Sequence, residues 1–214
     1  MESEPEVGAI FTNFVRFIDA GVFPQSQFEF MPELLTIPSV PTHCGLDRRV
    51  TGNTFESFIS MSQFPTFVQT IMFRANIIRD LRFPIINRAT DDLDFCMRAY
   101  QKTSVSYISE PMVEVRRHGT NMSWDLMKLE HEVRETLCDL GSRIDLVNPK
   151  HLSSLRRRIG RAWIDSGRLY LSQGCPGPAA NCFLKGFRYA KSRFSALKHL
   201  LVLPYLWQRS RGVG

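Results

Sequence analysis

Positions 90–100 read TDDLDFCMRAY, and the densest candidate chemistry in the chain sits there. Asp91, Asp92 and Asp94 fall within four positions, and Arg98 follows Asp94 by one helical turn. A carboxylate crowded by like charge holds its proton more tightly, which suits a general base working near neutral pH. The same residues also suit a helix start, where free backbone N–H groups stabilise each carboxylate by roughly 0.3–1 kcal/mol. Asp91 with Asp94 three residues on is a weakened capping box, and Asp94 with Arg98 four on can pair along one face. Composition alone leaves both readings standing, with the structural one favoured.

A second element supplies what a base needs opposite it. VRRHGTNMS (115–123) places Arg116, Arg117 and His118 in succession, then turns through Gly119 to Asn121 and Ser123. A lone His is more often a satisfied surface residue, and an arginine pair is more often a solvated edge. Here the segment follows the Asp cluster across one expected helix and one expected hairpin, so both ends can reach the same rim of a sheet. Carboxylates on one side with Arg and His on the other can hold a phosphate or a metal ion while a base takes a proton.

Those residues must be positioned by the elements around them. EVGAIFTNFVRFID (6–19), rich in Val, Ile, Phe and Thr, predicts a largely buried strand. Residues 20–65 read as irregular, punctuated by prolines, with short helices at 30–35 and 54–61. A second strand is expected at 66–74, a short helix at 74–81 and a loop at 82–90. Leu93, Cys96, Met97 and Tyr100 are spaced three and four apart, which predicts a helix over 91–102. A short strand follows at 104–109, Pro111 is expected to break it, and a further strand alternates over 112–118. Beyond Ser123 only helices are expected, at 124–144, 152–174, 176–192 and 193–203. The pair 152–174 and 176–192, with small residues Gly160, Ala162, Gly167, Ala179 and Ala180, has the look of one tetratricopeptide-type hairpin, which needs neighbours to bury its face.

The fold class expected is therefore α/β, a mixed sheet with flanking helices over 1–125, followed by an all-helical extension over 126–214. Charge divides at the same place. Residues 1–125 carry 11 Lys and Arg against 15 Asp and Glu, and residues 126–214 carry 16 against 6, so an acidic part precedes a basic one. The 214 residues are 43% hydrophobic with 16 Phe, which excludes a disordered chain. The five Cys have long spacings and no CxxC pair, so neither a zinc ribbon nor a disulfide framework is indicated. Cys96 and Cys138 sit in apolar patterns and are expected in the core, consistent with a reducing, cytoplasmic compartment. MESEPEVGAI is acidic where a signal peptide is basic. The run ALKHLLVLPYLW (196–207) is too short to span a bilayer and is broken by Pro204, though it can lie on a membrane surface.

TDDLDFCMRAYQKTSVSYISEPMVEVRRHGTNMS resembles the C-terminal half of the catalytic domain in family 2 glycosyltransferases, inverting enzymes of the GT-A fold. Their acidic pair, apolar residue, Asp and following Arg match Asp91, Asp92, Leu93, Asp94 and Arg98, with Asp91 standing where the family usually has Glu. Their Glu-Pro turn and Arg-x-His-x-x-Asn-x-Ser stretch match Glu110, Pro111, Arg116, His118, Asn121 and Ser123. The resemblance covers about residues 6–125 well and the rest loosely. It implies a partial GT-A-like sheet and transfer of a sugar from a nucleotide-diphosphate sugar to an acceptor hydroxyl with inversion, as in cell-surface polysaccharide biosynthesis. Asp92 would be the general base and Asp91 would hold the acceptor or its loop. Arg116, Arg117 and His118 would meet the diphosphate, and Thr90 and Trp124 the acceptor. A divalent ion, Mg or Mn, is expected for the complete enzyme, with His118 as a ligand. The family's nucleotide-binding β-α-β unit and its Asp-x-Asp motif have no counterpart before residue 6. The expectation is thus a fragment, inactive alone, whose donor-binding half lies upstream of Met1.

The acceptor expected is a saccharide, lipid-linked or on a protein. The basic helices, RRRIGR (156–161) among them, are expected to present a solvated face or to rest on anionic lipid at the inner face of the membrane. No nucleic-acid-binding signature accompanies the basic stretch, so nucleic acid is not an expected partner. The alternative is a helical protein-interaction module attached to a relic transferase region.

Overall fold

The computed structural model describes residues 4–18, 21–66, 68–85, 89–118, 125–143 and 148–189. The chain divides into two compact units, Met1–Trp124 and Asp125–Gly214. The first is mixed α/β, with a curled mixed sheet and flanking helices. Among the described residues it holds six strands: β1 (Val7–Ile18), β2 (Gly21–Ser26), β3 (Ser39–Pro41), β4 (Asp47–Val50), β5 (Ile71–Phe73) and β6 (Ser104–Arg116). The sheet order is β2-β1-β6-β4-β3, and β5 also pairs with β1. The expected strands near 6–19, 66–74 and 112–118 therefore share one sheet.

β1 is the spine. β6 runs parallel to it along almost its whole length, from Val7 opposite Ser104 to Phe17 opposite Arg116. Its other edge is divided antiparallel between β5, opposite Ala9–Phe11, and β2, opposite Val15–Ile18. The core lies where the β1 side chains meet the helices. Phe11 packs edge-on against Phe28 and Phe58, stacks with Tyr107 at 6.1 Å, and is fully buried. Phe58 meets Tyr100 at 5.0 Å, joining α3 (Thr54–Ile59) to α5 (Asp91–Tyr100).

The region read as irregular is more regular than expected. It contains β2, β3 and β4, with α1 (Gln27–Phe30) and α2 (Pro32–Leu35) between them. β2 tolerates Pro24 because it lies at the sheet edge, where one row of N–H groups goes unused. Ser26 and Glu29 form a capping box that starts α1. The short helices expected at 30–35 and 54–61 are α2 and α3, and that at 74–81 is α4 (Ala75–Ile78). The strand expected over 66–74 is only three residues long.

Pro111 does not break β6, contrary to expectation, so no hairpin separates the Asp cluster from Arg116. Thr12 pairs with Ile108 and Asn13 with Pro111, which leaves Ser109 and Glu110 bulged out of the ladder. A bulge is where a strand accepts a residue without an N–H. Asn13, almost fully buried, secures it. Its Nδ2 donates to Ser109 O at 2.8 Å, and its Oδ1 accepts from Phe14 N at 2.9 Å and Phe28 N at 3.0 Å.

The second unit contains α6 (Leu126–Ser142), a 3-10 turn (Pro149–His151), α7 (Leu152–Ser172) and α8 (Pro176–Tyr189). α7 ends on Gly174 at φ 72, and Cys175 N donates to Tyr170 O at 2.9 Å, the αL stop that the sequence signalled. α7 and α8 then pack at glycine-close range. A Cβ at Gly167 would lie 2.6 Å from the Phe183 ring, and one at Gly186 would lie 3.1 Å from Gly160 O. Cys96 is buried and Cys138 half-buried. In the basic run, Arg156, Arg157 and Arg161 are exposed, but Arg158 is not solvated as expected. It turns inward with Leu155, Ile159 and Ala162, and its charge faces Glu130. The helix expected at 193–203 and the apolar run at 196–207 lie outside the described residues.

Two destabilisations follow. Asn13→Ala strands two buried backbone N–H groups, of Phe14 and Phe28, and frees the Ser109 carbonyl, and should cost about 2–3 kcal/mol in chemical denaturation. Gly167→Ala should lower stability by about 1–2 kcal/mol, because the clash with Phe183 exceeds the helix-propensity gain.

Candidate functional site

α5 carries the carboxylates, and its sequence explains its position. Leu93, Cys96, Met97 and Tyr100 face the core, with Phe95 and Ala99 also covered. Tyr100 Oη donates to Pro65 O at 2.6 Å, fastening the helix to the segment that precedes β5. The N-cap is Thr90, not Asp91, and no side chain caps it, so the weakened capping box does not form. Instead Asp91 Oδ1 accepts from Asp92 N at 2.9 Å, within the first turn. Thr90, proposed to contact an acceptor, is buried at the helix start.

Asp92 and Asp94 meet opposite fates two residues apart. Asp94 is fully buried and joined to Arg98, with Nη2 at 2.6 Å and Nε at 2.8 Å from Oδ2. That is the i, i+4 pairing expected. Asp92 has no cation beside it among the described residues. Burial pushes its carboxyl up to about 6, and the charge of Asp91 adds to the rise. The Leu93 N–H and the Thr66 hydroxyl, 3.5 Å away, pull in the other direction without cancelling it. The result is a half-buried acid that ionises just below neutrality. Its charge also helps push the buried Cys96 thiol and Tyr100 phenol up, so neither is a nucleophile at neutral pH.

The basic residues lie elsewhere on the sheet. Arg116 ends β6 opposite Phe17, Arg117 N donates to Phe17 O at 2.8 Å, and His118 follows, exposed. Arg117 lies close enough to the half-buried Arg16 that the two cations disfavour each other. By contrast, Phe95 of α5 packs on Phe73, which pairs with Ala9. The Ala9 and Phe17 levels of β1 are about 25 Å of strand apart. The structure does not bring Asp92 and His118 into contact. Trp124, Asn121 and Ser123 lie outside the described residues. Sequence reasoning missed Arg16 and Thr66, the first hidden inside an apolar strand pattern and the second in an expected strand that begins only at Ile71.

Among the described residues no group of three or more His, Cys, Asp or Glu side chains is placed to hold a metal ion. These residues do not compose a divalent-ion site, so no chemistry is routed through one. A groove lined by Asn13, Val15, Pro24, Phe28, Leu35 and Pro111 contains none of the carboxylates of α5. No described helix is long and apolar enough to cross a membrane. No family model matches the chain, and no curated protein or solved structure matches it.

Asp92 has a pH signature. Its carboxyl titrates higher folded than unfolded, so the stability its neutral form confers is complete below about pH 4. That stability is lost as pH rises through about 6. Asp92→Asn should therefore leave stability little changed at pH 4 and raise it on the order of 2 kcal/mol at pH 7.5. Equal stabilities at both pH values would mean that Asp92 is not held in a desolvated place.

Proposed function

We propose that this chain contributes the acceptor-activating part of an inverting glycosyltransferase, with Asp92 as the general base. One observation carries the reading. A carboxylate at the start of a buried helix, without a countercharge among the described residues and titrating near 6, is an expensive arrangement unless a proton is to be moved. It stands beside Asp94, identical in chemistry but neutralised by Arg98, so the fold had a means of pairing Asp92 and did not use it. The motif resemblance around 90–123 supplies the reaction class.

In that reaction Asp92 accepts the proton of an acceptor hydroxyl as its oxygen attacks the anomeric carbon of a nucleotide-diphosphate sugar. The new C–O bond forms on the face opposite the leaving group. The bond to the diphosphate breaks, the nucleoside diphosphate departs with the electron pair, and the configuration inverts. Asp91 keeps Asp92 basic and fixes the first turn through its bond to the Asp92 N–H. Arg116, Arg117 and His118, with Arg16 gathered near Arg117, stand at the far end of β1 from the level of α5, so the proposal gives them no contact with the diphosphate that leaves beside Asp92. The basic second unit is proposed to rest on anionic lipid near the acceptor, through the exposed Arg156, Arg157 and Arg161. A GT-A-like fold for the first unit and a site at the inner face of the membrane belong to the same proposal.

The test is transfer by the protein from UDP-, GDP- and dTDP-hexoses to pooled oligosaccharides, read as release of nucleoside diphosphate. Asp92→Asn should lower kcat by about 10²–10⁴ with the donor KM nearly unchanged. The wild-type kcat/KM should rise with pH through about 6 and then level, because the working form of Asp92 is the ionised one. Wild-type turnover in the Asn variant removes the base role, and no transfer from any donor removes the reaction class.

A further inference from the structure

Asn13 closes the Pro111 bulge, and the same side chain lines a groove of about 350 Å³ on the first unit. Val15, Pro24, Phe28 and Leu35 make its walls apolar. The volume falls at the small end of the range, roughly 300–1,000 Å³, in which proteins seat small ligands. Pro24, Leu35 and Pro111 are exposed, so the groove opens to solvent along one side.

Two polar groups give the groove a direction. Asn13 is only 3% exposed. Its Oδ1 is taken by Phe14 N and Phe28 N, and one proton of its Nδ2 goes to Ser109 O. The second Nδ2 proton has no acceptor among the described residues. A donor buried this deeply is costly unless an oxygen meets it. The other group is the Glu29 carboxylate, also in the lining. Its Oε2 accepts from Ser26 N at 2.6 Å. Backbone and hydroxyl of Ser26 hold its carboxyl below the usual carboxylate range, so it is ionised at neutral pH. No cation stands beside Glu29 among the described residues. Glu114, exposed and in register with Val15 on the neighbouring strand, adds negative charge at the same level of the sheet.

Apolar walls, a buried N–H donor and a fixed carboxylate select one ligand chemistry. An aliphatic side chain fills the walls, a carbonyl oxygen accepts from Asn13, and an ammonium meets Glu29. All three groups are attached to a single Cα in the amino-terminal residue of a peptide, and the open side lets the rest of the peptide leave. We propose that this groove captures the free amino terminus of a peptide whose first residue is aliphatic. The site is independent of the role given to Asp92, since no carboxylate of α5 lines it.

The probes are Leu-Ala-Ala-amide, its N-acetylated form, Gly-Ala-Ala-amide and leucinamide. Each is titrated into the 214-residue chain and followed by the ¹³C-methyl signals of Val15 and Leu35. Leu-Ala-Ala-amide should shift both. Acetylation removes the ammonium and glycine in first place removes the side chain, and each should weaken binding at least about tenfold. Glu29→Gln keeps an oxygen for Ser26 N but removes the charge. It should weaken the free peptide about five- to tenfold and leave the acetylated one unchanged. Leu35→Arg, at an exposed wall position, should abolish the Val15 shift. Equal binding of free and acetylated peptides, or a Val15 shift that survives Leu35→Arg, overturns the capture of an amino terminus. Binding of leucinamide without binding of the tripeptide overturns the peptide as occupant. No shift in the wild type overturns the groove as a site.

Discussion

The Asp94–Arg98 pair is the constraint on which the rest of the site depends. Both groups are almost wholly removed from solvent. Taking two charges out of water costs several kcal/mol, recovered only when the geometry is good and the remaining donors are used. Here they are used: Arg98 spends Nε and one Nη on Asp94 and also donates to Arg82 O. The pair therefore does more than steady the first turn of α5. It ties the helix to the loop of residues 82–83 and sets the exposed Phe83 ring against Phe95.

Against that background the isolation of Asp92 has meaning. Two aspartates, two positions apart on one helix, differ in environment rather than in chemistry. Asp94 turns toward a guanidinium and is structural. Asp92 turns toward a hydroxyl and the backbone, with Asp91 as its charged neighbour among the described residues, and holds its proton to about pH 6. Environment assigns different roles to identical side chains in this way whenever one is neutralised and the other is desolvated.

The long parallel pairing of β1 with β6 serves a related end. It fixes where α5, which leads into β6, must return, and the Asn13 bulge lets β6 continue past Pro111 to deliver Arg116 and Arg117 at the far end of β1. Without Asn13 satisfying three backbone groups, the ladder would end where Pro111 removes an N–H. The second unit is built differently. α7 and α8 approach through Gly160, Gly167 and Gly186, and an aromatic ring, Trp163, takes cations from Arg134 at 4.2 Å and Lys185 at 4.4 Å.

The periodic elements were legible in the sequence because local spacing is enough to specify them. The 3.6-residue pattern of α5, the dense apolar run of β1 and the Gly174 stop after α7 each declare themselves within one segment. The Ser26–Glu29 capping box was equally local, yet it went unread inside a stretch dominated by prolines. What the sequence could not decide were matters of partnership. β2, β3 and β4 are short strands that exist only because neighbours pair with them, and Pro111 is tolerated only because Asn13, 98 residues earlier, closes its bulge. Arg158 looks like one more solvated cation until Glu130 on another helix faces it. Residue order established that three aspartates start one helix. Which of them is paired and which is left to ionise near neutrality was decided by the tertiary structure, because desolvation and countercharge depend on what lies across space, not along the chain.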